Sequence, residues 1–161
     1  MRYRNSILHA DIPIILGIID SVALFSPEEK RIAIELAQES LLKGVQSSYH
    51  FLFAEDCKAV LGYACFGHIP CTITRFDIYW LVVHKKFQSL GIGKRLLRKA
   101  ESEIARMDGK RIYIETSSRD AYEAARLFYR HCGYSEEAIL KDFYTQGDDK
   151  VIYIKRINWP A

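Results

Sequence analysis

The chain reads as an α/β, more narrowly α+β, protein built as one domain over residues 1–161, and three observations carry that reading. Apolar residues recur at helical spacing in some stretches and at strand spacing in others. The strand-like stretches come as a consecutive group of three, then alternate with helices, then close as a pair. No linker, repeat or low-complexity tract divides the 161 residues, a length that suits one core. Composition agrees, since 49% hydrophobic and 27% charged residues is ordinary globular usage. A domain of this size buries roughly 70% of its unfolded surface and needs no metal or disulfide staple.

Taken in order, a short strand is expected near Arg4–Leu8. The apolar run Ile12–Ile19 comes next as a buried first helix, capped by Asp11 with Pro13 in its first turn. Ser26-Pro27-Glu28-Glu29 starts a second helix. Ser26 and Glu29 can cap each other reciprocally, and Pro27 sits where no donor is needed. Ile32, Ala33, Leu36, Ala37 and Leu41 continue the helix and Gly44 closes it. Tyr49–Ala54, Ala59–Phe66 and Arg75–His84 are strands close enough in sequence to form an antiparallel meander.

Ile92, Leu96, Ala100 and Ile104 make one apolar stripe on a helix that ends at Asp108-Gly109. Arg111–Thr116 is a strand with Tyr113 and Glu115 on one face and Ile112 and Ile114 on the other. The strand–helix–strand unit from Tyr79 to Thr116 is a right-handed crossover with its strands side by side. Asp120 and Glu123 resemble a capping box for a last helix, with Ala121, Ala124, Ala125 and Phe128 facing inward and Gly133 past its end. Two strands, Ser135–Tyr144 and Val151–Ile157, finish the chain.

Several functions are disfavoured by the bulk properties. A formal net charge of +3 is too small to imply nucleic-acid binding. Cys57, Cys65, Cys71 and Cys132 lack zinc or redox spacing, so no metal site is expected and a reducing compartment fits. The basic start and the run Ile12–Ile19 mimic a secretory signal, but Asp11 and Asp20 interrupt the pattern and the run is too short to span a bilayer. A cytoplasmic protein without a membrane partner is expected.

The informative segment is Gln88-Ser89-Leu90-Gly91-Ile92-Gly93-Lys94, between an apolar strand and an amphipathic helix. A helix start offers unpaired N–H donors and a partial positive charge, and therefore favours an anion. Gly91 and Gly93 let a diphosphate approach the backbone, and Lys85, Lys94 and Arg95 add charge. A P-loop would need a glycine at Gln88 and a hydroxyl at Arg95; a dinucleotide fingerprint would need a glycine at Leu96. What remains is Q-x-x-G-x-G at a strand-to-helix turn, or a plain tight turn before a helix.

With that loop, the strand before it and the downstream string Ala125-Arg126-Leu127-Phe128-Tyr129-Arg130-His131-Cys132-Gly133-Tyr134, the chain resembles the GNAT superfamily of N-acetyltransferases. The likeness spans nearly the whole chain. It implies a GNAT-like mixed, mostly antiparallel sheet of about seven strands with helices on both faces. It also implies acyl transfer from acetyl-CoA, or another acyl-CoA, to an amine on a small molecule or peptide.

The resemblance places the cofactor against Leu81, Val82, Val83, Gln88, Ser89, Leu90, Gly91, Ile92, Gly93, Lys94, Ser117, Tyr122 and Tyr129, with the Val82 N–H as oxyanion donor. Tyr122 stands where relatives often carry Asn, and the run Glu115–Ser118 could supply hydroxyls instead. Tyr129 is the expected acid for the departing thiolate and Glu115 the leading base, with Asp77, Tyr79 and His84 as alternatives. Tyr79, Trp80 and Tyr144 are expected to line the acceptor site, and strand Val151–Ile157 could pair across a homodimer. A silent coenzyme A-binding sensor or an adapter scaffold are the competing readings.

Overall fold

The capping box at Ser26 forms as written. The Ser26 hydroxyl accepts from the Glu29 N–H at 3.2 Å, and the Glu29 carboxylate accepts from the Ser26 N–H at 2.7 Å. In a computed structural model that describes residues 1–57 and 59–157, the elements run β1 (Arg2–Arg4), α1 (Asp11–Val22), α2 (Pro27–Lys43), β2 (His50–Glu55), β3 (Val60–His68) and β4 (Arg75–Val83). They continue α3 (Ile92–Arg106), β5 (Arg111–Ser117), α4 (Glu123–His131), β6 (Ser135–Thr145) and β7 (Asp148–Arg156).

The strands form one sheet in the order β1-β2-β3-β4-β5-β7-β6. Only β4 and β5 are parallel, joined by the α3 crossover; all other pairs are antiparallel. Helices cover both faces because strand side chains alternate. Phe51, Phe53, Tyr63 and Cys65 meet Ile15, Ile18, Ile19, Ala33 and Ala37 of α1 and α2. Leu52, Ala54, Ala64 and Phe66 meet Leu96, Leu97, Ala100 and Ile104 of α3 on the other face, where Phe128 and Tyr129 of α4 also pack.

Several local expectations are corrected. The first strand is Arg2–Arg4, paired to β2, and not Arg4–Leu8. Asp11 is the first helical residue and not the cap. Its buried carboxylate accepts from the Leu8 N–H at 2.7 Å and from both Arg4 guanidinium N–H groups at 2.8 Å, tying α1 to β1. The Asp120/Glu123 box does not form, because a 3-10 turn at Asp120–Tyr122 precedes α4 and its cap position, Tyr122, makes no side-chain capping bond. Ala121 and Ala124 are exposed, whereas Ala125 and Phe128 of the predicted inner face are half-buried.

The strand predicted at Val151–Ile157 is the end of β7, which lies between β5 and β6 with both edges paired inside the chain, so it cannot pair across a dimer. The intervening register comes from the Gln146-Gly147 hairpin, where Gly147 takes φ +81.

Two irregularities shape the centre of the sheet. At Cys65/Phe66 the β3–β4 register shifts, with Trp80 opposite Cys65 and Ile78 opposite Phe66, so Tyr79 is an extra residue in β4. A bulge of this kind flips the faces of the residues beyond it. Phe76 and Ile78 belong to the α3 side, whereas Trp80 and Val82 belong to the α1–α2 side. Beyond the same point β4 leaves β5: the parallel pairing covers only Arg75–Asp77 against Arg111–Tyr113. A wedge opens through the sheet between Ile78–Val83 and Ile114–Ser117.

Candidate active site

Main-chain direction decides what the wedge offers. The His84 N–H donates to the Leu61 carbonyl at 2.9 Å. In an antiparallel ladder the bonded residues alternate, so Val82 also turns its N–H and carbonyl toward β3. A Cβ placed on Gly62 of β3 would lie 2.6 Å from the Val82 carbonyl, in agreement. Leu81 and Val83 therefore present their main-chain groups to the wedge. The Val82 N–H, expected to face an oxyanion, is thus turned into the β3 ladder instead. The Val83 carbonyl accepts from the Gln88 side-chain amide at 3.1 Å, which ties the loop to the wedge's edge.

Past His84 a 3-10 turn at Lys85–Phe87 leads into the loop. Ser89 and Gly91 both take left-handed φ, +62 and +73, and Gly91 is the N-terminal cap of α3, with no side chain to fill that role. The first closed helical bond runs from the Arg95 N–H to the Gly91 carbonyl. The donors of Ile92, Gly93 and Lys94 precede that ladder and are free to meet an anion.

Whether a diphosphate fits can be judged from the glycines. A Cβ on Gly91 would enter open space, and one on Gly93 would touch Phe128 and Val83 at 3.6–3.7 Å, an ordinary contact. Packing within the chain does not demand glycine at 93, so the cradle is open to a ligand's close approach. Leu90 and Lys94 are exposed beside it, while the Ile92 side chain is buried in the core and only its backbone is available. These features suit the pyrophosphate of coenzyme A.

Tyr129 stands on α4, on the α3 side of the sheet. Its ring lies 5.4 Å from Phe128 and 6.1 Å from both Tyr134 and Tyr153. Burial, then the neighbouring Cys132, push its phenol well above the usual tyrosine range, so it stays protonated at neutral pH. Its hydroxyl has no hydrogen-bond partner among the described residues.

Two expected cofactor contacts are otherwise engaged. The Ser117 hydroxyl is buried, donates to the Asp148 carboxylate at 2.5 Å and accepts from the Arg119 N–H at 3.1 Å. Ser118 accepts from the Asp149 N–H at 2.8 Å. Both hydroxyls hold the β5–α4 connection against the β6–β7 hairpin, and the Ser117 hydroxyl spends its donor on Asp148. The Tyr122 hydroxyl reaches the Glu29 carboxylate at 3.2 Å. It braces α4 against the start of α2, and burial, then Glu29, raise it to about 12.

The opposite face of the wedge is acidic and aromatic. Asp77, Glu115 and Lys150 share it, since each alternates with residues packed toward α3. Lys150 pairs with Glu115 at 2.6 Å and sits 3.8 Å above the Phe143 ring and 5.8 Å from Tyr144. Asp77 has no hydrogen bond or ion pair among the described residues; burial, then Glu115, raise it to about 6 against the pull of Lys150. Tyr79, at the bulge, meets Tyr49 edge-on at 5.4 Å and is pushed up to about 12 by burial, then Asp77.

Of the three aromatics expected at the acceptor site, Tyr79 and Tyr144 are partly open there. Trp80 packs edge-on to Phe25 at 5.1 Å within the α1–α2 core. Lys150 was missed because its place opposite Ser117 depends on a strand order that no local pattern announces. No group of three or more His, Cys, Asp or Glu residues able to hold a metal occurs among the described residues. No described helix is long and apolar enough to cross a membrane.

A model of the acetyltransferase (GNAT) domain matches residues 47–136. An uncharacterized N-acetyltransferase of Methanocaldococcus jannaschii is 33% identical over 128 residues, covering 73% of this chain and 74% of that protein. A crystal structure from Desulfovibrio desulfuricans, assigned to the GNAT family of acetyltransferases, superposes with a TM-score of 0.94 at 37% identity, covering 96% of this chain and 98% of the other. An aminoglycoside 6'-N-acetyltransferase complexed with coenzyme A shares the fold, with a TM-score of 0.75, 22% identity and 100% coverage of both chains. The chain belongs to the GNAT family of acetyltransferases.

Proposed function

We propose that this protein transfers an acetyl group directly from acetyl-CoA to a primary amine of a small molecule or peptide. The single observation that carries this reading is the wedge between β4 and β5, with a glycine-lined helix start at one end and titratable groups on both faces. Main-chain donors of Ser89–Lys94 bind the pyrophosphate, helped by the charge of Lys94, while the Gln88 N–H stays on the Lys85 carbonyl. The main-chain groups of Leu81 and Val83 line the wedge and orient the pantetheine amides. An N–H there also faces the carbonyl oxygen that gains charge on attack, a contribution of roughly 3 kcal/mol when such a donor is preorganised.

Acetyl-CoA brings the activated thioester. Tyr129, protonated and on the α3 side, delivers its proton to the departing sulfur. The proton released by the amine leaves toward the carboxylates of Asp77 and Glu115 on the other face. Acid and base thus stand on opposite faces of the sheet and act through the opening between its strands.

The test is calorimetric titration of acetyl-CoA, followed by thiol release with a panel of spermidine, tyramine, kanamycin and a peptide with a free N-terminal alanine. Gly93→Glu should abolish binding while its melting temperature stays near that of the parent, because a Cβ there makes only ordinary contacts. Binding that survives Gly93→Glu would refute the cradle. Binding without thiol release from any of the four amines would leave a coenzyme A-binding sensor instead.

A further inference from the structure

Two carboxylates face the acceptor side of the wedge, and they are not equivalent. Glu115 lies beyond the point where β4 and β5 separate, half in solvent, with its carboxylate held by the Lys150 ammonium at 2.6 Å. A base whose lone pairs already accept from a cation is a weaker proton acceptor, and moving it toward an amine costs that pair. Asp77 is the last residue of β4 still paired to β5, opposite Tyr113. Its backbone is anchored on both sides, by Gly67 of β3 and by Tyr113 of β5, directly at the apex of the opening.

The groups around Asp77 come from every neighbouring element. Glu115 stands on β5, Lys150 on β7 and Tyr79 on β4 itself. Tyr49 touches Tyr79 from the segment before β2, and the facing position on β3 is Gly67, which carries no side chain. None donates a hydrogen bond to the Asp77 carboxylate among the described residues. Its lone pairs are free to receive a proton.

We propose that Asp77 is the base that takes the proton from the incoming amine, and that the Glu115–Lys150 ion pair acts as a positioning and tuning device for it. The proposal rests on the reading that this chain acetylates amines. The step balances simply: an N–H bond of the ammonium breaks, its electron pair stays on nitrogen for attack on the thioester carbonyl, and the proton forms an O–H bond on Asp77. Because Glu115 and Lys150 act on Asp77 in opposite senses, each can be removed separately and the direction of the effect read out.

The experiment uses the whole chain and whichever of the four amine probes releases thiol fastest. Asp77→Asn should lower turnover at least a hundredfold while acetyl-CoA binding stays within twofold of the parent. Asp77→Glu should restore part of the lost rate. In the parent, kcat/KM should fall on the acid side with a limb near pH 6. Glu115→Gln should move that limb to lower pH and Lys150→Met should move it to higher pH.

Carboxyl NMR of aspartate-labelled protein, with Asp77→Asn to assign the resonance, reads the same two shifts without any acceptor. Asp77→Asn at near-parent turnover, or a limb that moves the same way in both partner variants, overturns the assignment of the base while leaving the transferase reading intact. Absence of thiol release with every probe overturns both.

Discussion

A tight approach of two strands lies beside the wedge, and it makes a sharp prediction for Gly62→Ala. A Cβ at Gly62 would lie 2.6 Å from the Val82 carbonyl oxygen, 3.0 Å from the Val83 Cα and 3.2 Å from a Val83 methyl. An ordinary C···O approach is about 3.3 Å, so β4 must retreat from β3 by roughly 0.7 Å or the strand must twist. The nearest obstructing atoms are backbone, which cannot rotate away. Overpacking of this kind costs about 1–3 kcal/mol, and for a chain of this size each kcal/mol moves the melting temperature by about 2–4 °C. A fall of roughly 2–12 °C is expected, read by scanning calorimetry.

The displacement pushes β4 toward the wedge, so acetyl-CoA affinity should fall at least threefold as well. Gly17→Ala is the control. It lies in the exposed middle of α1 with nothing within 4 Å of a new Cβ, and should stabilise by roughly 0.5–1 kcal/mol. A Gly62→Ala protein that melts within 1 °C of the parent and binds acetyl-CoA normally would refute the argument that β3–β4 contact sets the position of the wedge.

Two further outcomes come from the site. Tyr129→Phe keeps the ring that packs against Phe128, Tyr134 and Tyr153 and removes only the hydroxyl; turnover should drop about 10²–10⁴-fold with acetyl-CoA affinity within twofold, and an unchanged rate would remove Tyr129 from the acid role. Asp77 also marks the pH dependence of stability. Its folded-state value, raised to about 6 by burial and then Glu115, lies above the unfolded value of about 3.9, so the folded chain binds the extra proton and stability falls as pH rises from about 4 to about 6. The carboxyl is partly open to solvent, which leaves roughly 1 kcal/mol of effect. Asp77→Asn should therefore melt higher than the parent at pH 8 and lose that advantage at pH 4; equal melting differences at both pH values would refute it.

Local chemistry was legible wherever an interaction closes within one turn or one strand. Ser26 and Glu29 are three residues apart, so their reciprocal bonds arise from spacing alone. The alternation of Ile112 and Ile114 against Tyr113 and Glu115 likewise arises from the pleat. The same reasoning went astray at Asp11, whose carboxylate serves Arg4 and the Leu8 N–H through a loop geometry absent from the sequence pattern. At Asp120 the helix waits for a 3-10 turn to finish. Ser117 looked like a ligand contact because its hydroxyl is chemically suitable, and only the fold shows that Asp148, thirty-one positions away, already holds it.

By itself, then, the order of apolar periods determined the elements, and the glycine-bearing turn before α3 determined where helix-start N–H donors are left open, because both rest on contacts between near neighbours in the chain. Tertiary structure alone decided that β7 slips between β5 and β6, that β4 bulges at Tyr79, and that Lys150 reaches Glu115 and leaves Asp77 unpaired. Those outcomes depend on which strands pair and in what register, and pairing is selected by the burial of whole faces rather than by any residue's own preference.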